Sequence, residues 1–306
     1  MIAEFVEVAR DLRFPEGPVA LPDGSVVLVE MMGRCITRIM PDGTKQTVAE
    51  IAGGPNGLAV GPDGALYLCN NGGSFSETTY KGVTYPGPFD PSLYIGGRIQ
   101  RVDLKTGEVK DLYTHCDGQQ LRGPNDIVFD ARGGFWFTDH GIRHGRIYDL
   151  TGIYYAKIDG SMIREAIFPC QAPNGIGLSP DGETLYWAES FTGRVHQATI
   201  TGEGEVVRKS MRDPASCLAG LSGLQYLDSL AVDGDGNVCV ATLINGGITV
   251  ISKTGEILEH IATGDPITTN ICFGGSDFQT AYITLSGRGK LVSMNWPYKG
   301  LRLNFL

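Results

Sequence analysis

The chain has 306 residues, 42% hydrophobic and only 19% charged, with a formal net charge of −9 and 43 glycines spread along its length. That balance suits a globular all-β protein of many short strands and excludes a disordered tract. A pI near 5.1 argues against nucleic acid or an acidic membrane surface as a partner, and no run of about 18 apolar residues predicts a membrane span.

The opening run MIAEFVEVARDLRFPEG carries acids among its apolar residues and lacks the basic-then-apolar layout of a signal peptide, so the cytoplasm is the expected location. Within it Ile2–Val8 reads as a strand. The seven cysteines, odd in number and mostly in or near strand-like runs, read as buried reduced thiols.

From Glu16 onward one phrase recurs six times: a polar residue at the mouth of an apolar strand, then a turn residue seven positions later. The pairs are Glu16/Asp23, Asn56/Asp63, Asn125/Arg132, Asn174/Asp181, Asp228/Asp235 and Asn270/Asp277, and Pro15, Pro55, Pro124 and Pro173 precede four of them. The fourth copy, PNGIGLSPDGETLYWAESFTGRVHQATI, supplies the template. It reads as strand Gly175–Leu178, a tight Pro180-Asp181-Gly182 turn, strand Thr184–Ala188, a reversal at Gly193-Arg194, strand Val195–Ile200 and a fourth around Glu205–Lys209. Gly57–Val60, Asp126–Phe129, Ser229–Val232 and Ile271–Phe273 fill the first slot elsewhere. Ala65–Leu68, Phe135–Thr138, Asn237–Thr242 and Thr280–Thr284 fill the second.

Phrases starting about 40 to 70 residues apart, with no helical periodicity, predict a six-bladed β-propeller with four antiparallel strands per blade. A solenoid would need distinct capping repeats, and none is evident. The ring is expected to close by Ile2–Val8 joining the last blade beside strands near Leu291–Asn295, making one domain over residues 1–306. The six polar residues then all start inner strands and converge on one mouth of the central channel. The longest insertion, residues 71–97, falls between the second and third strands of the second repeat, on that same face. Its Phe75, Tyr80, Tyr85, Phe89 and Tyr94, with Pro86, Pro88 and Pro91, read as a stiff aromatic flap over a pocket or as an oligomer contact. A shorter insertion, His140 to Thr151, adds to the rim.

Two of the convergent residues, Glu16 and Asp228, are acids, and Asn56, Asn125, Asn174 and Asn270 are carboxamides. Two carboxylates in a narrow channel repel, and one protonates unless a cation lies between them. An all-oxygen set of Glu16, Asp228 and some of the Asn oxygens suits one divalent ion, Ca²⁺ first, with Mg²⁺, Mn²⁺ or Zn²⁺ as alternatives. Zinc fits least, since no His or Cys fills these slots. Asp126, next to Asn125, is a candidate supporting acid. Asp139, His140, Glu30 and Glu189 end second strands at the rim. His140 and His144 have the spacing of a helical zinc pair, but Gly141 and the strand end leave no helix to carry it. There is no G-x-S-x-G elbow, and GGPNGLAVGPDG opens no helix, which excludes a nucleotide loop.

The phrases FPEGPVALPDG, RGPNDIVFDARGGFWFTD, APNGIGLSPDGETLYWAES and LDSLAVDGDGNVCVAT resemble the senescence marker protein/regucalcin/gluconolactonase family, over essentially the whole chain. The resemblance implies a propeller lactonase with one catalytic divalent metal. By position it implies Glu16, Asn174 and Asp228 as metal ligands, and Asn125 as a fourth residue binding metal or substrate. The chain is also similar to the squid-type diisopropyl fluorophosphatase, whose site draws on one Glu, two Asn and one Asp. Regucalcin-like members carry a sugar-binding Arg two residues before the third-blade Asn. Here that place is Gly123, with Arg122 one step further out, which departs from a sugar-lactone site. Asn56, Arg122 and His140 join Asn125 as expected substrate contacts.

The expected reaction is hydrolysis of a small-molecule lactone, with Lewis-acid activation of the carbonyl and attack by water. Asp228 is the expected general base, or else a ligand alone. The alternatives are a phosphotriester or other ester at the same site, and a non-enzymatic calcium-binding propeller. A homo-oligomer is left open.

Overall fold

The computed structural model describes residues 4–207 and 214–306. Six sheets, here blades 1 to 6, each begin at an innermost strand: Pro15–Ala20, Pro55–Val60, Pro124–Phe129, Pro173–Leu178, Tyr226–Val232 and Thr268–Gly274. Each inner strand lies at one edge of its sheet. Neighbouring inner strands touch in cyclic order, the last one meeting the first, so the ring is closed. Val6–Ala9 pairs antiparallel with Lys290–Asn295 and becomes the outer strand of blade 6. The expected closure therefore holds, with Ile2 and Ala3 outside the described residues. No helix among the described residues is long and apolar enough to cross a membrane.

The second strands explain why the sequence reads as apolar runs rather than as alternation. Val26–Glu30, Leu66–Asn70 and Gly134–Asp139 are each sandwiched between two neighbouring blades. A strand covered on both faces needs apolar side chains at every position. The core is accordingly split among the blade interfaces. Tyr67, Phe129, Phe135 and Phe137 fill the space between blades 2 and 3, and Trp136, Tyr155, Leu178 and Trp187 that between blades 3 and 4. Val29, Ile36, Leu58 and Leu66 join blades 1 and 2, while Ala9, Leu28 and Leu291 seal the closing seam. Each such side chain contributes about 1.5–3 kcal/mol on full burial.

The turn position works through its oxygen. Asp23, Asp63, Asp181 and Asp277 each accept a hydrogen bond from the N–H two residues on, at 3.0–3.2 Å. In blades 3 and 5, where Arg132 and Asp235 occupy the phrase, the acceptor moves two residues back to Asp130 and Asp233.

Blade 4 departs from the expected template. Glu205–Val207 pairs with only one end of the third strand, Arg194–Gly202, and Cys217–Gly220 pairs with the other end. Of the expected fourth strand Glu205–Lys209, the described part is Glu205–Val207, and Arg208 and Lys209 lie outside the described residues. Cys69, Cys116, Cys239 and Cys272 are buried thiols.

Candidate active site at the channel mouth

Every inner strand breaks register at its polar residue. The shifts fall between Glu16 and Val19, Pro55 and Leu58, Pro124 and Ile127, Pro173 and Ile176, Leu227 and Leu230, and Thr268 and Asn270. An extra residue in one strand re-aims its side chain and raises local twist. Six such bulges at one end of the ring turn six polar side chains out of the sheet ladder at the mouth. Glycines beside them let the inner strands close in. A Cβ on Gly57 would lie 2.4 Å from Asn125 O, and one on Gly175 2.5 Å from Leu230 N. In blade 3 that place is Asp126, whose carboxylate instead accepts from Ile127 N at 2.9 Å and from Ile176 N of blade 4 at 3.3 Å.

Glu16, Asn56, Asn125, Asn174, Asp228 and Asn270 are all buried. Asn270 Nδ2 donates to Glu16 Oε2 at 3.4 Å across the seam between blades 6 and 1, and Asn174 Nδ2 donates to Ser190 Oγ at 3.2 Å. Burial pushes the Glu16 carboxyl well above the usual carboxylate range, and the Asp228 charge pushes it further. Burial raises Asp228 to about 7, opposed by the Asn174 amide and reinforced by Asp126. Asp126 itself is raised to about 7 by burial, against the two backbone N–H groups it accepts from. Three acids from blades 1, 3 and 5 are therefore mutually repelling neighbours without a basic partner among the described residues.

Two further atoms matter. Asn125 Oδ1 and Asn174 Oδ1 are buried with no hydrogen-bond partner. An acceptor left bare in a buried site costs about 1–3 kcal/mol. Bare amide oxygens beside uncompensated carboxylates are the donor set of a hard divalent cation. No three His, Cys, Asp or Glu side chains form a metal-holding group among the described residues. A cation here must therefore take carboxamide oxygens along with Glu16 and Asp228, and the residues present fit that requirement.

The other expected residues lie further out. His140 stands in an aromatic wall, its ring centroid 6.0 Å from Phe75 and 5.6 Å from Phe191, and Phe191 in turn meets Tyr148 and Tyr226. Burial pushes His140 down to about 4, so it is neutral near pH 7. His144 is on the short hairpin Arg143–His144/Ile147–Tyr148, against Phe89 rather than beside His140. Arg122 Nε donates to Asp149 Oδ2 at 2.8 Å on the blade 3 rim. Sequence reasoning missed Phe191, Tyr148 and Tyr226, and also Met31, whose Sδ accepts from Asn56 Nδ2 at 3.9 Å. The available signal was position: Met31 and His140 directly follow the acid that ends a second strand, and Phe191 comes two residues after Glu189.

Those strand-end acids, and Asn70 in the same place in blade 2, hold backbone. Glu30 accepts from Arg13 N (2.7 Å), Asn70 from Gly54 N (3.0 Å), Asp139 from Arg122 N and Gly123 N (both 2.7 Å), and Glu189 from Gln171 N (3.0 Å). Each ties the segment ahead of an inner strand to its neighbour and so sets where the polar residue of that strand lies. Asp139, fully buried, also accepts from Gly141 N at 2.9 Å. Asp139→Ala strands three N–H groups and is expected to lose about 2–4 kcal/mol in urea unfolding, with Asp139→Asn losing less. An unchanged midpoint would contradict the latch.

The inserted segment forms the hairpin Glu77–Tyr80/Val83–Pro86. Val83 packs with Phe14, Met31 and Ile267, bringing the hairpin from blade 2 across blade 1 to blade 6. A cavity of about 600 Å³ runs down the channel from Gly17, Asp126 and Asn270 to Leu301–Leu306 at the far end. A second, of about 400 Å³, lies between blades 1 and 2 and the hairpin. Glu16 and Asp228 line neither.

A family model described as SMP-30/Gluconolactonase/LRE-like region matches residues 14–287. Lactonase drp35 of Staphylococcus epidermidis is 27% identical over 243 residues, covering 78% of this chain and 66% of its own length, just under two thirds. The structure of a gluconolactonase from Xanthomonas campestris superposes with a TM-score of 0.76 at 22% identity, over 96% of this chain and 90% of the other. That of a calcium-binding protein, regucalcin, from Agrobacterium tumefaciens gives 0.75 at 16% identity, over 96% and 93%. At these identities the two structures speak to the shared fold.

Proposed function

This chain belongs to the SMP-30/gluconolactonase/LRE-like family, and from that premise we propose that it is a cytoplasmic hydrolase that opens a lactone at the channel mouth. One divalent cation, Ca²⁺ first, would be held by Glu16, Asp228, Asn125 and Asn174. The observation that carries this reading is the pair of bare oxygens, Asn125 Oδ1 and Asn174 Oδ1, beside acids whose charges nothing balances. When bound, such a cation supplies a Lewis acid for the ester carbonyl and balances the negative charge developing there.

In this reading Asp228 is the general base; burial raises it to about 7 without a cation, and a bound cation draws it lower. It takes a proton from the attacking water as the water oxygen bonds to the carbonyl carbon. The ring C–O bond then breaks, the departing alkoxide takes that proton back, and a hydroxy acid leaves. Asn125 and Asn56 orient the ring, and the wall of Phe75, His140 and Phe191 excludes water behind it. A neutral His140 offers a hydrogen bond there without adding charge.

The test is proton release from a panel of γ- and δ-lactones, with a phosphotriester beside them. Protein stripped by chelator would be given Ca²⁺, Mg²⁺, Mn²⁺ or Zn²⁺ in turn. Lactone opening that disappears on stripping and returns with a divalent ion is the expected result. Full activity after exhaustive chelation overturns the metal role, and turnover of the phosphotriester alone moves the chemistry to P=O.

The hairpin is expected to act on substrate choice. Ile95 N donates to Gly72 O at 2.9 Å, so the ends of the insertion already meet. Replacing Gly73–Tyr94 by a short Gly-Ser bridge should alter relative kcat/KM across the panel more than it alters the unfolding midpoint. Identical kinetics would refute a lid role.

A further inference from the structure

The cavity of about 400 Å³ beside the mouth is lined by the apolar side chains of Met31, Met32, Phe75 and Leu93, by Asn71, Ser76 and Glu77, and by backbone at Gly53 and Gly54, and its basic side chains are Arg13 and Arg34. That space depends on glycine: a Cβ on Gly54 would fall 2.1 Å from Asn71 Oδ1. Met31 joins the cavity to the mouth, its Sδ accepting from Asn71 Nδ2 at 3.4 Å on one side and from Asn56 Nδ2 on the other. Arg13 is already matched, donating from Nη2 to Glu77 Oε2 at 2.7 Å. Arg34 is exposed and pairs with no carboxylate among the described residues. Its turn is pinned, because Ile51 N donates to Arg34 O at 2.8 Å.

We propose that this cavity receives a substituent of the substrate and that Arg34 binds an anionic group at its end. Resting on the lactone reading above, the substrate is then a lactone with an apolar arm that terminates in a carboxylate or phosphate. The ring lies at Glu16 and Asp228 and the arm passes Met31 along Phe75 and Leu93. An unpaired guanidinium binds a carboxylate or phosphate through paired N–H donors.

The experiment compares two δ-lactones with the same alkyl arm, one ending in methyl and one in carboxylate, on wild type, Arg34→Lys and Arg34→Glu. Wild type should prefer the acid-ended compound by about 10-fold or more in kcat/KM, and Arg34→Glu should lower that value by about 30-fold, mainly through KM. The methyl-ended lactone should stay within about 2-fold, because an exposed guanidinium makes no contact with it, and Arg34→Lys should restore part of the preference. Equal use of both compounds by all three proteins overturns the subsite and leaves lactone opening intact. Should wild type open neither, the lactone reading fails by itself. Calorimetric binding of the acid-ended compound then still decides: loss in Arg34→Glu upholds the subsite, and equal binding overturns it.

Discussion

Glu16→Gln and Asp228→Asn are each expected to cut kcat/KM for lactone opening by about 10³-fold or more, while the chelator-treated protein becomes more stable rather than less. Both substitutions keep the shape of the side chain. They remove a carboxylate that burial and its neighbours hold above its ordinary pKa, and with it a charge that nothing offsets. An amide in that place is uncharged and its N–H can reach the bare Asn oxygens. A gain of about 1 kcal/mol would show as a rise of about 2–4 °C in the unfolding midpoint for a domain of this order. Adding Ca²⁺ should raise the midpoint of wild type through preferential binding to the folded state, and should do little for either variant. Full activity in both variants, or a Ca²⁺-induced rise that survives in both, would defeat the assignment of these acids to one cation.

The stability of metal-free wild type should fall as pH rises from about 4 to about 7. The sign follows from proton counting. Asp126 and Asp228 titrate near 7 in the folded chain against 3.8 as isolated side chains, and Glu16 is shifted in the same direction. Between those values the folded state holds protons that the unfolded state has released, so raising pH favours unfolding. Below about 4 both states are protonated and the penalty is absent. Above about 7 it is fully expressed for Asp126 and Asp228 and amounts to several kcal/mol for that pair, with Glu16 adding in the same direction. A saturating divalent cation should flatten or reverse the trend, since it binds the deprotonated carboxylates and competes with protons. Urea titrations at intervals of one pH unit, with chelator and with Ca²⁺, would read this directly. A metal-free stability that rises with pH through the window would mean the three acids do not share one buried site.

Both expectations start from acids that are far apart in the chain, and the sequence was enough to pair them. Glu16 and Asp228 stand at the same place in a repeated phrase, and a repeat that closes on itself brings equivalent places to one axis. The strand runs were legible for a related reason. Strands covered on both faces, such as Leu66–Asn70, write their burial into every residue. Less legible was the bulge at each polar residue, because a register shift is a relation between two strands and leaves no mark in either one alone. The split outer edge of blade 4 was hidden in the same way, since Cys217–Gly220 is recruited to the edge by contact with Arg194–His196. Arg122 was expected among the substrate contacts, and its pairing with Asp149, 27 residues on, was not legible, since a rim hairpin whose path no local rule prescribes brings the two together.

The chain by itself determined the number of blades, the face that gathers the polar residues, and the two acids among them. All three follow from a period, and a period is a property of order along the chain. Only the tertiary structure decided that Asp126 is a third buried acid and that, among the described residues, two Asn oxygens are left bare and Arg34 borders a cavity without a carboxylate partner. Burial, hydrogen-bond satisfaction and empty space depend on atoms contributed by neighbouring blades and an inserted hairpin, and those neighbours exist only once the ring has closed.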